Sequence, residues 1–148
     1  MTLEERINTD LKTAMKAKDK VSLRGIRAIK TAILLQKTDG SGETLDGAGE
    51  ISMLQKLVKS RQDSLDIFTK QKREDLAVTE REEIEVISRY LPAQLSDEDL
   101  ATLVEGIITK TGASSMKDMG KVMGMANKEA AGRADGKSIS AMVKAKLT

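Results

Sequence analysis

Two aromatic side chains, Phe68 and Tyr90, among 148 residues leave a core that must be built from leucine, isoleucine, valine, methionine and alanine. Such side chains fill the apolar stripe of amphipathic helices, whereas sandwiches and barrels draw on aromatics and frequent turn residues. A single proline, Pro92, points the same way, and the expected class is all-α. A chain of this length can bury roughly 68–70% of the surface exposed by its unfolded form, enough for a core without covalent staples. None is on offer, because cysteine and histidine are both absent. Their absence excludes disulfides, thiolate nucleophiles, structural zinc of the usual kinds and histidine acid–base chemistry. No metal or cofactor is expected. The first residues enter a charged amphipathic pattern with no apolar leader, so the expected compartment is the cytoplasm. No apolar run approaches the roughly 20 residues of a membrane span, and no membrane association is expected.

Thr2 and Glu5 form a capping-box pattern ahead of Leu3, Ile7 and Leu11, which predicts a first helix ending near Lys18. Asp19 is placed to cap a second, in which Leu23, Ile26, Ile29 and Ile33 recur at helical spacing while Lys20, Arg24, Arg27 and Lys30 point elsewhere. The segment TDGSGETLDGAG, from Thr38 to Gly49, reads as a surface loop. Ile51 to Phe68 sets a third helix and a fourth follows at about Asp75; Pro92 then forbids easy continuation. A subdomain boundary is placed there, giving an N-terminal helical subdomain over 1–92 and a three-helix subdomain over 93–148. Within the latter, Ser96 caps a fifth helix closed by Gly112, Ser114 or Ser115 caps a sixth ended by Gly132, and Ser138 caps a short seventh. The glycines of MGKVMGMA are read as letting two helices approach closely, with Met119, Met123 and Met125 filling irregular space.

The net charge of +2 hides an uneven distribution. Residues 1–37 carry nine basic and four acidic side chains, residues 38–91 eight and twelve, and residues 92–148 eight and seven. After Gly106 the count is eight bases against three acids. Charged helix faces are ordinarily just solvated. The sharper reading is two basic surfaces able to follow a phosphate backbone: Lys20, Arg24 and Arg27 on the second helix, and Lys117, Lys121, Lys128, Arg133 and Lys137 near the C-terminus. With so few aromatics, base stacking contributes little.

No catalytic residue is assigned. Carboxylate pairs such as Glu82 and Glu85 read as a solvated face, and neither a nucleophile elbow nor a phosphate loop is present. An enzyme site would need Arg61, Asp63, Arg73 and Glu82 to share a cleft; they more simply form ion pairs, such as Arg61 with Asp75 across the turn. Arg73, Asp75 and Glu82 are read as pinning the connection between the third and fourth helices. Tyr90 is read as a packing residue whose hydroxyl reaches the other subdomain.

Several segments together resemble the YqeY family: VKSRQDSLDIF at 58–68, KREDLAVTEREEIEVISRYLPAQLSDEDL at 72–100, DMGKVMG at 118–124 and GRADGKSIS at 132–140. That family is related to the tail region of the GatB subunit of tRNA-dependent amidotransferases. The resemblance implies two helical subdomains and a non-catalytic accessory role, most simply tRNA binding. It also brings an inherited association with carbon–nitrogen ligase activity that takes glutamine as amido-nitrogen donor. Lys121, Arg133 and Lys137 match the family's basic positions and are carried over as tRNA contacts. Lys72 departs from the pattern, standing where a glycine is expected and resisting a left-handed conformation there. The alternative function is a protein-interaction module that docks on an amidotransferase or a synthetase through the methionines of the last two helices. No sustained heptad seam is present, and a monomer is expected.

Overall fold

The computed structural model describes residues 1–39 and 46–148, so half of the expected loop from Thr38 to Gly49 lies outside the described residues. The protein is all-α: seven α-helices and one 3-10 turn, with no strand among the described residues. It divides into two compact units, Met1–Leu91 and Pro92–Thr148. Among the described residues no helix is long and apolar enough to cross a membrane.

The first unit contains α1 (Leu3–Ala17), α2 (Lys20–Lys37), α3 (Gly47–Lys70) and α4 (Glu74–Ser88). Thr2 and Glu5 form the reciprocal capping box that starts α1, and the Asp19 carboxylate accepts from the Ser22 amide at 3.1 Å to start α2. Helix α3 begins at Gly47, inside the expected loop, because the Asp46 carboxylate accepts from the Gly49 amide at 2.7 Å and offsets the cost of two glycines in the first turn. Helix α1 packs on α2, α2 on α4, and α4 on α3. Ile7, Ile29, Leu54, Val86 and Ile87 are fully enclosed between them. Helices α2 and α4 come close together at Gly25 of α2, where an added Cβ would lie 2.5 Å from a Val86 methyl of α4. That glycine is required by packing, since any side chain would displace a β-branched wall.

The second unit contains α5 (Asp97–Thr111), the 3-10 turn Met116–Asp118, α6 (Met119–Ala130) and α7 (Gly136–Leu147). Helices α5, α6 and α7 each pack on the other two and enclose Val104, Ile107, Val122, Ile139 and Val143. Ser96 caps α5 through the Asp99 amide at 3.1 Å, and Gly112 ends it at φ 70°. Three local expectations are corrected. Ser115 caps the 3-10 turn through the Lys117 amide, and α6 has no side-chain cap of its own. Helix α6 ends at Ala131, left-handed at φ 49°, one residue before Gly132. Asp135 rather than Ser138 caps α7, its carboxylate accepting from the Ser138 amide at 2.7 Å. Close packing is likewise carried by different residues from those expected. A Cβ on Gly120 or Gly124 would meet nothing within 4 Å, whereas Ala126 and Ala130 are fully buried.

Candidate nucleic-acid interface

Helix α6 turns Val122, Ala126 and Ala130 into the core, so the opposite meridian must face water. That meridian carries Lys121, Gly124 and Lys128, at i, i+3 and i+7, and Lys117 precedes Lys121 by one turn. All four residues are exposed. No acidic side chain among the described residues pairs with any of the three lysines. Asp118, next to Lys117 in sequence, accepts from the Ser114 amide at 3.1 Å. Lys117 and Lys121 also stand at the amino end of α6, where the helix dipole disfavours added positive charge. Lys137 and Lys144 are exposed on α7, seven residues apart and therefore on one face. Lys144 escaped the sequence reading, although its spacing from Lys137 was the available signal.

Arg133 is engaged differently. Its Nε donates to the Ala130 carbonyl at 3.0 Å and its Nη2 to the Glu129 carbonyl at 3.0 Å, closing the C-terminus of α6. Its own carbonyl accepts from the Leu95 amide at 2.7 Å, while the Gln94 side-chain amide donates to the carbonyls of Pro92 and Gly132. The stretch that opens with Pro92 is thereby laced to the α6–α7 turn. Gln94 was not anticipated, because a side chain that bridges backbone 38 residues away leaves no local pattern.

On α2, Lys20 and Arg27 are exposed, but Arg24 is committed to Glu82 of α4 at 2.6 Å. Two expectations about the α3–α4 connection are corrected here. Glu82 does not pin that turn but holds α4 to α2, and Arg61 pairs with Glu83 at 3.0 Å rather than with Asp75. Arg73 and Asp75 form a two-pronged pair across the turn, at 3.0 and 2.9 Å. Hydrogen bonding to Arg73 holds the Asp75 carboxyl below its usual range, and the same bond raises the guanidinium. Lys72 is left-handed at φ 57°, the conformation in which a glycine was expected to be easier. Tyr90 is a third correction: its hydroxyl donates to Asp10 Oδ2 at 2.5 Å inside the first unit. Burial, then that hydrogen bond, pushes its phenol above the ordinary tyrosine range.

Among the described residues no cluster of three metal-ligating side chains occurs. What the geometry defines is a helical protein of two units, with a bare cationic stripe along one helix of the second. The chain belongs to the YqeY family: the model of Yqey-like proteins matches residues 4–147. It is similar to "Altered inheritance of mitochondria protein 41, mitochondrial" of Saccharomyces cerevisiae, 32% identical over 114 residues, which is 73% of this chain and 62% of the yeast protein. The protein of the same name from Lachancea thermotolerans is 35% identical over 107 residues, 70% of this chain and 57% of that one. The Pyrenophora tritici-repentis protein is 32% identical over 132 residues, 87% and 71% respectively. The chain therefore spans about three-fifths of the length of the yeast relatives it matches.

Proposed function

We propose that the second unit is an RNA-binding accessory module, with tRNA as the RNA, and that it carries out no reaction by itself. The observation that carries this reading is the set of Lys121 and Lys128 on the outward face of α6 with Lys117 in the 3-10 turn just before it, none of which has an acidic partner among the described residues. Point charges without aromatic neighbours suit phosphate rather than base edges, so binding is expected to be indifferent to sequence and sensitive to salt. The kinship with the amidotransferase tail points to tRNA among RNAs. Docking of a protein on the methionines is less well supported, because Met119, Met123, Met125 and Met142 pack against the second core. Arg133 is better viewed as a structural residue than as an RNA contact, since its guanidinium already serves the end of α6.

The test is a titration with bulk tRNA over a range of salt concentrations. Changing Lys117, Lys121 and Lys128 together to Gln should lower the slope of log affinity against log salt by about 2–3, with the helical circular dichroism unchanged. Arg24→Gln should leave the slope where it was, because that guanidinium is spent on Glu82. No binding at low salt, or an unaltered slope in the triple variant, refutes the proposal.

A further inference from the structure

A second polar site lies in the first unit, independent of the RNA reading and untouched by it. Between α1, the start of α2 and the end of α4 is a cleft of about 340 Å³, whose walls include Arg6, Asp10, Asp19, Ser22, Arg89 and Tyr90. Its hydrogen-bonding capacity is unequally spent. The Asp19 carboxylate accepts from the Ser22 amide at 3.1 Å and from the Ser22 hydroxyl at 2.6 Å. That hydroxyl, on the one buried polar residue among those described, in turn accepts from Arg89 Nη1 at 3.2 Å. Arg89 is thus held at the cleft wall by Ser22 on one side and by Glu85, at 3.0 Å, on the other.

Arg6 is the unspent group. Four residues on, Asp10 is its natural helical partner, but Asp10 accepts the Tyr90 hydroxyl instead. Arg6 forms no ion pair with a described residue, and its guanidinium stands 5.1 Å over the Tyr90 ring. A tyrosine that occupies the carboxylate and supports the cation on its face leaves all five guanidinium N–H donors of Arg6 for a visitor. Of the acceptors named, both oxygens of Asp19 and Oδ2 of Asp10 each already accept a hydrogen bond, whereas no N–H of Arg6 is engaged. The one wholly unengaged charged group of the site is therefore a cation, and its complement is an acceptor of negative charge.

We propose that this cleft binds a small oxyanion, the carboxylate or phosphate group of a small molecule, against Arg6 with Arg89 beside it. Guanidinium donors are the natural match for either anion, and the ring beneath Arg6 fixes its plane in advance. Tyr90 has the further role of keeping Asp10 from neutralising Arg6.

The chain supplies its own probe. With one tyrosine and no tryptophan, all tyrosine emission arises from this cleft. The whole chain is titrated with inorganic phosphate and, separately, with acetate, against sodium chloride of matched ionic strength. A saturable change of emission with phosphate, with acetate or with both, and none with chloride, supports the site and names its anion. Arg6→Gln, at an exposed position, should fold normally and weaken the response about tenfold, the loss of one charge-assisted contact. Tyr90→Phe, followed by the amide resonance of Ser22 because emission is lost, should weaken binding too, since Asp10 is then free to pair with Arg6. Absence of saturation, an equal response to chloride, or an undiminished response in Arg6→Gln overturns the proposal.

Discussion

The two units hold their arginines and lysines differently. In the first, five of the seven arginines are matched to acids, three pairs within α4 and its approach and two between helices: Arg73–Asp75, Arg81–Glu74, Arg89–Glu85, Arg24–Glu82 and Arg61–Glu83, while Arg6 and Arg27 form no ion pair with a described residue. In the second, the lysines of α6 have no such partners, and Lys146 pairs with Glu105 on α5. Yet by sequence the N-terminal 37 residues are the most basic stretch and residues 92–148 are nearly balanced. Local net charge is therefore an incomplete guide to which surface presents a positive field; whether each cation has an acid within reach matters as well. Helix α2 loses Arg24 to the acids of α4, while the acids of the second unit gather at the start of α5, where the helix dipole favours them.

This contrast can be probed by stability, from the largest effect to the smallest. Gly25→Ala should destabilise by about 2–3 kcal/mol in urea denaturation, because the new methyl meets Val86 in a filled core. A neutral result there would mean that α2 and α4 can separate without cost, and that the cross-helix pairs do not fix their spacing. Arg61→Gln comes next: both partners are largely shielded, at 19% and 18% side-chain exposure, so stranding Glu83 should cost about 1–2 kcal/mol. In the second unit Lys146→Gln should cost less than about 1 kcal/mol, since its pair is more open. The smallest effects are gains. Gly124→Ala, on the open face of α6, should add about 0.8–1 kcal/mol, and Lys72→Gly should add about 0.5–1 kcal/mol by relieving a left-handed lysine. If Gly124→Ala also weakened tRNA binding, the bare face would be shown to need close backbone approach.

The legible parts of this fold were those set by short-range chemistry. Thr2 with Glu5, Ser96 and Gly112 could be read directly, because caps involve residues three or four apart. Where two good caps compete within a few residues, as Asp135 and Ser138 do, local pattern does not choose; packing of Ile139 and Val143 sets where α7 begins. The glycines show the same limit more sharply. Gly25, which no sequence pattern singled out, is a packing necessity, whereas Gly120 and Gly124 were read as a packing motif and face open space. The ion pairs Arg24–Glu82 and Arg61–Glu83, 58 and 22 residues apart, were illegible for that reason, and with them went the correct status of Arg24. Among the candidate contacts, Lys117, Lys121 and Lys128 were legible as members of a basic set, but the diversion of Arg133 to carbonyl groups needed the turn that follows α6.

The arginine pairs of the α3–α4 region have one more consequence. Each carboxyl held low there, Glu74 and Asp75, and each guanidinium held high, Arg73 and Arg81, moves away from neutrality, and so does the phenol of Tyr90. With no histidine or cysteine in the sequence, the side chain types that ordinarily titrate nearest neutrality are absent, and these shifted groups hold one charge state around neutral pH. Around these groups the surface is a fixed electrical landscape near neutral pH, responsive to the ions dissolved around it.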